Sequence, residues 1–217
     1  MIDTRPARRS RVSGFTLVEV LVALVVMAIM SLIAWQGVDG IVRTRESNQV
    51  RLEQTLRLET VIAQWEQDLA SLQESAAVPA ISCDGQSVRL TRRSEGGLQV
   101  VAWSLRPDAT NSMWQRWASQ AVTTTNGLQE SWLRTQQFQG NEPGQLRALG
   151  GLEQWQVYFF QGNAWSNCQS TGNVLAPDVP GAGPQRQALP SGVRIVLSFG
   201  PGSGLSGSLV RDVRIAP

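Results

Sequence analysis

The sequence predicts an α+β fold: one long N-terminal α-helix, apolar on every side in its first half, followed by a β-rich domain that packs against its second half. Three observations lead there. From Phe15 to Ala34 the chain runs for 20 residues with only Thr16, Glu19 and Ser31 polar. No proline falls between Pro6 and Pro79, so nothing in that stretch removes a helical hydrogen bond. Beyond Pro79 the apolar period shortens from three and four residues to two, the alternation of strands.

Residues 1–14 form a basic leader, with Arg5, Arg8, Arg9 and Arg11 against a single Asp3. Positive charge on the short side of an apolar span holds that side in the cytoplasm, so the remainder is exported. The span itself, 15–35, has the roughly 20 apolar residues that a helix needs to cross about 30 Å of hydrocarbon. It is not an ordinary secretory signal. The plausible cleavage point, between Gly14 and Phe15, precedes the apolar run, so cutting there leaves the membrane segment attached. Glu19 is an ionisable group inside that run, where an unpaired carboxylate is costly and such groups are usually paired and functional. A cut after Gly14 gives Phe15 a free amine one helical turn from Glu19. The carboxylate of one subunit would then neutralise the terminal amine of its neighbour.

Residues 36–76 read as an amphipathic continuation of the helix. Leu58, Val61, Ile62, Trp65, Leu69 and Leu72 recur at three- and four-residue spacings and make one apolar stripe. The same reading puts Arg51, Arg57, Glu59, Glu66 and Asp68 on the other faces. A helix from Phe15 to about Leu72 is roughly 85–90 Å long at 1.5 Å per residue. Gly37 and Gly40 are its weak points, and Pro79 ends the segment.

Residues 77–217 supply the strands. Gln86–Arg92 and Leu98–Leu105 flank the turn signal Glu95-Gly96-Gly97. Ser112–Ser119, Leu128–Thr135 and Leu152–Phe160 follow as strand candidates, with Trp155, Val157 and Phe159 on one face. Val193, Ile195, Leu197 and Phe199 alternate with Arg194, Val196 and Ser198, and Leu209–Ile215 closes the chain with Val213 and Ile215 on one side. Glycine- and proline-rich loops separate them at Gly140–Gly144, Pro177–Gly192 and Gly200–Gly207. Trp114, Trp117 and Trp132 fall in the middle strands, as core or as interface.

Composition narrows the chemistry. There is no histidine, and all 19 basic residues are arginine. Ser-His and Cys-His nucleophile pairs, histidine-ligated zinc and lysine-dependent phosphate loops therefore each lack a necessary group. No acidic pair stands out for glycoside chemistry, no calcium-loop spacing occurs, and no cofactor is indicated. The formal charge of +2 owes four arginines and one aspartate to the leader. The remainder, with 15 basic and 16 acidic residues, stands at −1 and does not suggest a nucleic-acid binder. Cys83 and Cys168 are an even pair in an exported chain, read as a disulfide or as two buried thiols.

The basic leader followed by G-FTLVE and an apolar helix resembles the class III signal of type IV prepilins and type II secretion pseudopilins. Carried over by position, the resemblance makes Gly14 the last leader residue, Phe15 the N-methylated terminus left by a prepilin peptidase, and Glu19 the assembly carboxylate. Along the rest of the chain AWQGVDGIVRTRE, WEQDLASL, LTRRSEGGLQVVAWSL, GLEQWQVYFFQGNAW, LPSGVRIVLSF and LVRDVRIAP follow in the order of the J-type minor pseudopilin. That resemblance implies a pilin-like domain, a long helix on an antiparallel sheet, and a non-catalytic role. It implies a single-pass protein of the bacterial inner membrane, N-terminus cytoplasmic and C-terminal domain periplasmic. Its partners would be the I- and K-type minor pseudopilins and the major pseudopilin, at the tip of a short pseudopilus that exports folded proteins. A minor pilin priming a type IV pilus shares the leader, helix and processing and differs in partners. A membrane-anchored periplasmic enzyme or ligand-binding domain is opposed by the missing histidine and lysine and by the Gly14–Phe15 junction.

Overall fold

One helix, α1, runs without a break from Leu17 to Ala70. Gly37 and Gly40 do not interrupt it, and no proline lies near them to remove a helical hydrogen bond. The computed structural model describes residues 14–108, 112–138, 142–170, 189–201 and 203–215. The leader before Gly14, Gly140 and most of the Pro177–Gly192 loop lie outside the described residues.

The chain divides into two units, Met1–Gln49 and Val50–Pro217. In the first, every described residue is exposed. Its part of α1 contains the apolar window, of mean hydropathy 2.8, that is long and apolar enough to cross a membrane. A helix apolar all round buries itself in lipid or among other helices rather than against a domain of its own. This segment is the chain's membrane anchor.

The second unit takes in the end of α1 and all the strands, so the domain begins inside the helix and not at residue 77. Its strands are β1 (Ile81–Cys83), β2 (Ser87–Ser94), β3 (Gly97–Pro107), β4 (Ser112–Ala118), β5 (Leu146–Gln161), β6 (Ala164–Asn167), β7 (Gly192–Phe199) and β8 (Ser208–Arg214). They form one sheet in the order β1-β2-β3-β4-β5-β7-β8, with β6 beside β5. Every pairing is antiparallel. The hairpin Glu95-Gly96-Gly97 falls where its turn residues predict it. Gly97 has φ 132° and lies against the Val122 carbonyl, a place where a Cβ would collide.

Period-two alternation sorts the strands into two faces. Val88, Leu90, Val101, Trp103, Trp114, Leu152, Trp155, Val157, Phe159, Val193, Ile195 and Leu197 face α1 and meet its Val61, Ile62, Trp65 and Leu69 in the main core. On the opposite face of β3 and β4, Val100, Ala102 and Trp117 meet a second helix, α2 (Thr125–Gln136), through its Leu128 and Trp132.

Helix α2 corrects the strand expected at Leu128–Thr135 and moves Trp132 from strand to helix. Its buried residues Leu128, Trp132 and Thr135 recur at helical spacing. Thr124 caps the helix by accepting from the Gly127 N–H at 3.3 Å. The single apolar face and the β-propensity of the Thr and Trp residues made a half-buried strand look equivalent. α1 also ends at Ala70, short of the expected Leu72–Gln73 limit and of residue 76. Beyond it Leu72 bridges to Arg92, the Gln73 N–H donates to Thr91 and the Arg93 N–H to Ser71, so pairing with β2 wins over another helical turn. Strands β1 and β6 are too short for a sequence pattern to reveal.

Asp68 is a further correction. It does not lie on an outer face of α1 but has 0% exposure, facing the sheet beside Trp65 and Leu69. Its Oδ1 accepts from Gln64 at 3.1 Å, from Arg116 Nη2 at 2.8 Å and from Arg92 Nη1. Its Oδ2 accepts from Trp103 Nε1 at 2.9 Å and Arg116 Nε at 2.7 Å. The three sheet partners sit on β2, β3 and β4, so one carboxylate sets both the rotation and the axial position of α1. Tryptophans pack around it, with Trp65–Trp103 at 5.6 Å and Trp103–Trp114 at 4.4 Å between ring centroids. Further along α1, Arg57 donates to the Ala148 carbonyl at 2.9 Å and to that of Arg147 at 2.8 Å, and Glu66 pairs with Arg211 on β8.

Cys83 at the end of β1 and Cys168 just past β6 form a disulfide, their Cα atoms 5.8 Å apart across 85 residues of sequence. Closing a loop of that size is worth about 2–4 kcal/mol. Beside it Asp84 orders the β1–β2 turn, accepting from Gln86 N at 3.0 Å, Ser87 N at 2.6 Å and Arg89 Nη2 at 2.5 Å. Partial burial pushes its carboxyl up. The Ser87 and Gln86 hydrogen bonds and the Arg89 charge outweigh that and hold it below the usual carboxylate range.

Two expectations follow. Asp68→Ala leaves Arg92 and Arg116 without their buried counter-charge and should cost about 3–5 kcal/mol, read as a lower midpoint of denaturant unfolding by tryptophan fluorescence. A midpoint unchanged from the parent would mean that the carboxylate is not what holds the helix. Asp84 adds stability that is complete above the ordinary carboxylate pKa and is lost as pH falls through its lowered folded value. The acid limb below about pH 4 should therefore flatten in Asp84→Asn while neutral-pH behaviour changes less with pH.

Candidate functional site

The site is the entry into α1. Gly14, Phe15 and Thr16 precede the helix in non-helical conformation. A Cβ built on Gly14 would meet nothing within 4 Å, so the glycine answers no packing demand inside this chain. Phe15 is 88% exposed.

One turn on, Glu19 closes a reciprocal cap with Thr16. Glu19 Oε2 accepts from the Thr16 backbone N–H and from its hydroxyl, both at 2.9 Å. The Thr16 hydroxyl accepts from the Glu19 N–H at 3.3 Å. This is a capping box, with Thr16 at the N-cap and Glu19 at the third helical position, and it satisfies donors that the first turn leaves without partners. It also places negative charge at the positive end of the helix dipole. Among the described residues the hydrogen bonds of the carboxylate all go to Oε2, from Thr16.

Gly14 and Phe15 thus immediately precede the Thr16–Glu19 cap. Cys83 and Cys168 meet elsewhere, in the domain. Reasoning from sequence missed Thr16, counted only as a polar residue in the run, although Thr-x-x-Glu before an apolar stretch is the written form of a capping box. It also missed Asp68, whose signal was its place one turn from Trp65 within the apolar stripe. Among the described residues no group of three or more histidine, cysteine, aspartate or glutamate side chains is gathered to hold a metal ion.

Residues 9–35 match the prokaryotic N-terminal methylation motif. No curated protein matches the chain. Among solved structures, a chain in the crystal structure of the GspK-GspI-GspJ complex from the enterotoxigenic Escherichia coli type 2 secretion system is similar at 12% identity and a TM-score of 0.48, over 76% of this chain and 98% of that one.

Thr16→Ala should loosen the first turn of α1 by about 1 kcal/mol, measured as faster amide exchange at Val18–Val20 in detergent micelles. Exchange equal to that of the parent would show that the cap does not form there. A prokaryotic N-terminal methylation motif thus lies over the Gly14–Glu19 turn of a chain whose long helix is followed by an antiparallel sheet.

Proposed function

We propose that the chain is a J-type minor pseudopilin of type II secretion, a non-catalytic subunit at the tip of the periplasmic pseudopilus that primes its assembly. The observation that carries the proposal is the methylation motif at residues 9–35, placed over an exposed Gly14–Phe15 junction and a Glu19 held one turn away. The order of the sequence pieces along the rest of the chain supports the J-type subunit.

In this reading a prepilin peptidase removes Met1–Gly14 at the cytoplasmic face of the inner membrane and methylates Phe15. The span 15–35 then holds the protein in the bilayer, with the domain in the periplasm. During assembly Glu19 pairs with the terminal amine of a neighbouring subunit. In the low-dielectric filament core that pair gains strength and sets axial register. The Thr16 cap fixes the rotamer beforehand, so less side-chain freedom is lost when the pair forms. The partners are the I- and K-type minor pseudopilins and the major pseudopilin.

The Cys83–Cys168 disulfide favours a second reading, a minor pilin that primes a type IV pilus for adhesion, motility or DNA uptake. It keeps the same processing and changes the partners.

Expression with the cognate peptidase should give a mature protein that lacks residues 1–14 and begins with N-methylated Phe15, seen by mass spectrometry. An intact Met1 in the membrane fraction would end both readings. Co-purification of the full chain with the I- and K-type subunits supports the secretion assignment, and capture of the pilus set instead supports the second. Glu19→Ala should leave the domain folded and abolish incorporation into the fibre.

A further inference from the structure

We infer that the outer edge of β8 is a strand-addition site for an extended, acidic segment of a partner polypeptide. The inference holds under either the pseudopilus or the pilus reading, because it concerns a surface of the domain remote in sequence from the processing turn.

β8 ends the strand order, and among the described residues it pairs with β7 alone. The Ile215 N–H donates to the Ser191 carbonyl and the Phe199 N–H to the Gly207 carbonyl, each at 3.0 Å. Antiparallel alternation then turns the main-chain groups of the odd residues toward β7. Those of Ser208, Val210, Asp212 and Arg214 point away from the sheet. Soluble proteins usually guard such an edge with proline, a bulge, a short strand or unpaired charge. β8 has none of the first three. It spans seven residues without proline, and its register against β7 is continuous from Ser208 to Arg214. The strand at the other end of the order, β1, is three residues long and tied down by the disulfide.

The charges on β8 identify what would dock. Arg211 faces α1 and pairs with Glu66. Asp212 is taken by Arg194, whose Nε and Nη2 each lie 2.6 Å from one of its carboxylate oxygens. That leaves Arg214, exposed and without an ion pair among the described residues, and Val210, 52% exposed on the same face. An antiparallel partner strand would therefore set an acidic residue across from Arg214 and an apolar one four positions later across from Val210. Main-chain bonds would supply the affinity and these two positions the selectivity. A second copy of this chain fits less well, because the single acid on β8 is already held by both oxygens.

The test uses the full chain in detergent and a blocked peptide, acetyl-Thr-Glu-Thr-Thr-Thr-Val-Thr-amide, beside its analogue with lysine in place of glutamate. The glutamate peptide should protect the amides of Asp212 and Arg214 from hydrogen exchange, and the lysine analogue should not. Val210→Pro removes an outward N–H and leaves the β7 ladder whole, so binding should be lost with the unfolding midpoint unchanged. Arg214→Glu should reverse the preference toward the lysine peptide, an outcome that does not depend on how the proline is tolerated. Absence of protection, binding that survives Val210→Pro, or no reversal with Arg214→Glu would overturn the inference. So would protection arising from a concentration-dependent dimer, which would make the occupant a second copy.

Discussion

Moving a carboxylate out of water is expensive, and Asp68 sits on the sheet-facing side of α1 with no exposure at all. What surrounds it follows from the need to satisfy that charge. Two arginines, an indole N–H and a glutamine amide converge on its two oxygens from three strands and the preceding helical turn. Near the C-terminal end of a helix an aspartate also opposes the dipole, and the arginines offset that too. Apolar packing alone permits a helix to slide or roll on a sheet by a fraction of a turn. The geometry around Asp68 does not, because its donors are fixed to β2, β3 and β4. The tryptophans that enclose it keep water out and so strengthen those bonds.

Two apolar patterns share one uninterrupted helix. In the N-terminal unit the apolar residues surround α1, and every described residue there is exposed. In the domain they narrow to a stripe that meets the sheet. The change tells where each stretch finds its apolar partner: lipid or neighbouring helices for the first, the chain's own strands for the second. At the start of the helix, Thr16 and Glu19 satisfy one another. The carboxylate is thus anchored through one oxygen.

The two faces and two edges of the sheet are treated unequally. One face carries α1 along its length, the other carries α2 over β3 and β4. One edge strand is short and cross-linked. The other is seven residues long with its charges largely consumed within the chain.

Much of this was legible in the residues. The apolar run, the Gly14–Phe15–Glu19 spacing and the proline-free stretch identify the anchor and the methylation motif because those signals are local and compositional. Strands with clean alternation, such as Val193–Phe199, and the stripe Val61–Leu69 were legible for the same reason. What sequence left undecided depended on contacts distant along the chain. Leu128–Thr135 became a helix because Val100, Ala102 and Trp117 offered it a face and Thr124 a cap. Asp68 went inward because Arg92, Trp103 and Arg116 were there to receive it. Cys83 and Cys168 met because the sheet brings β1 and β6 together. By itself the sequence determined the membrane segment, the long helix and the strands that alternate cleanly. Only the tertiary structure decided which polar groups are buried, because a polar group can be buried only where its partners have been assembled around it.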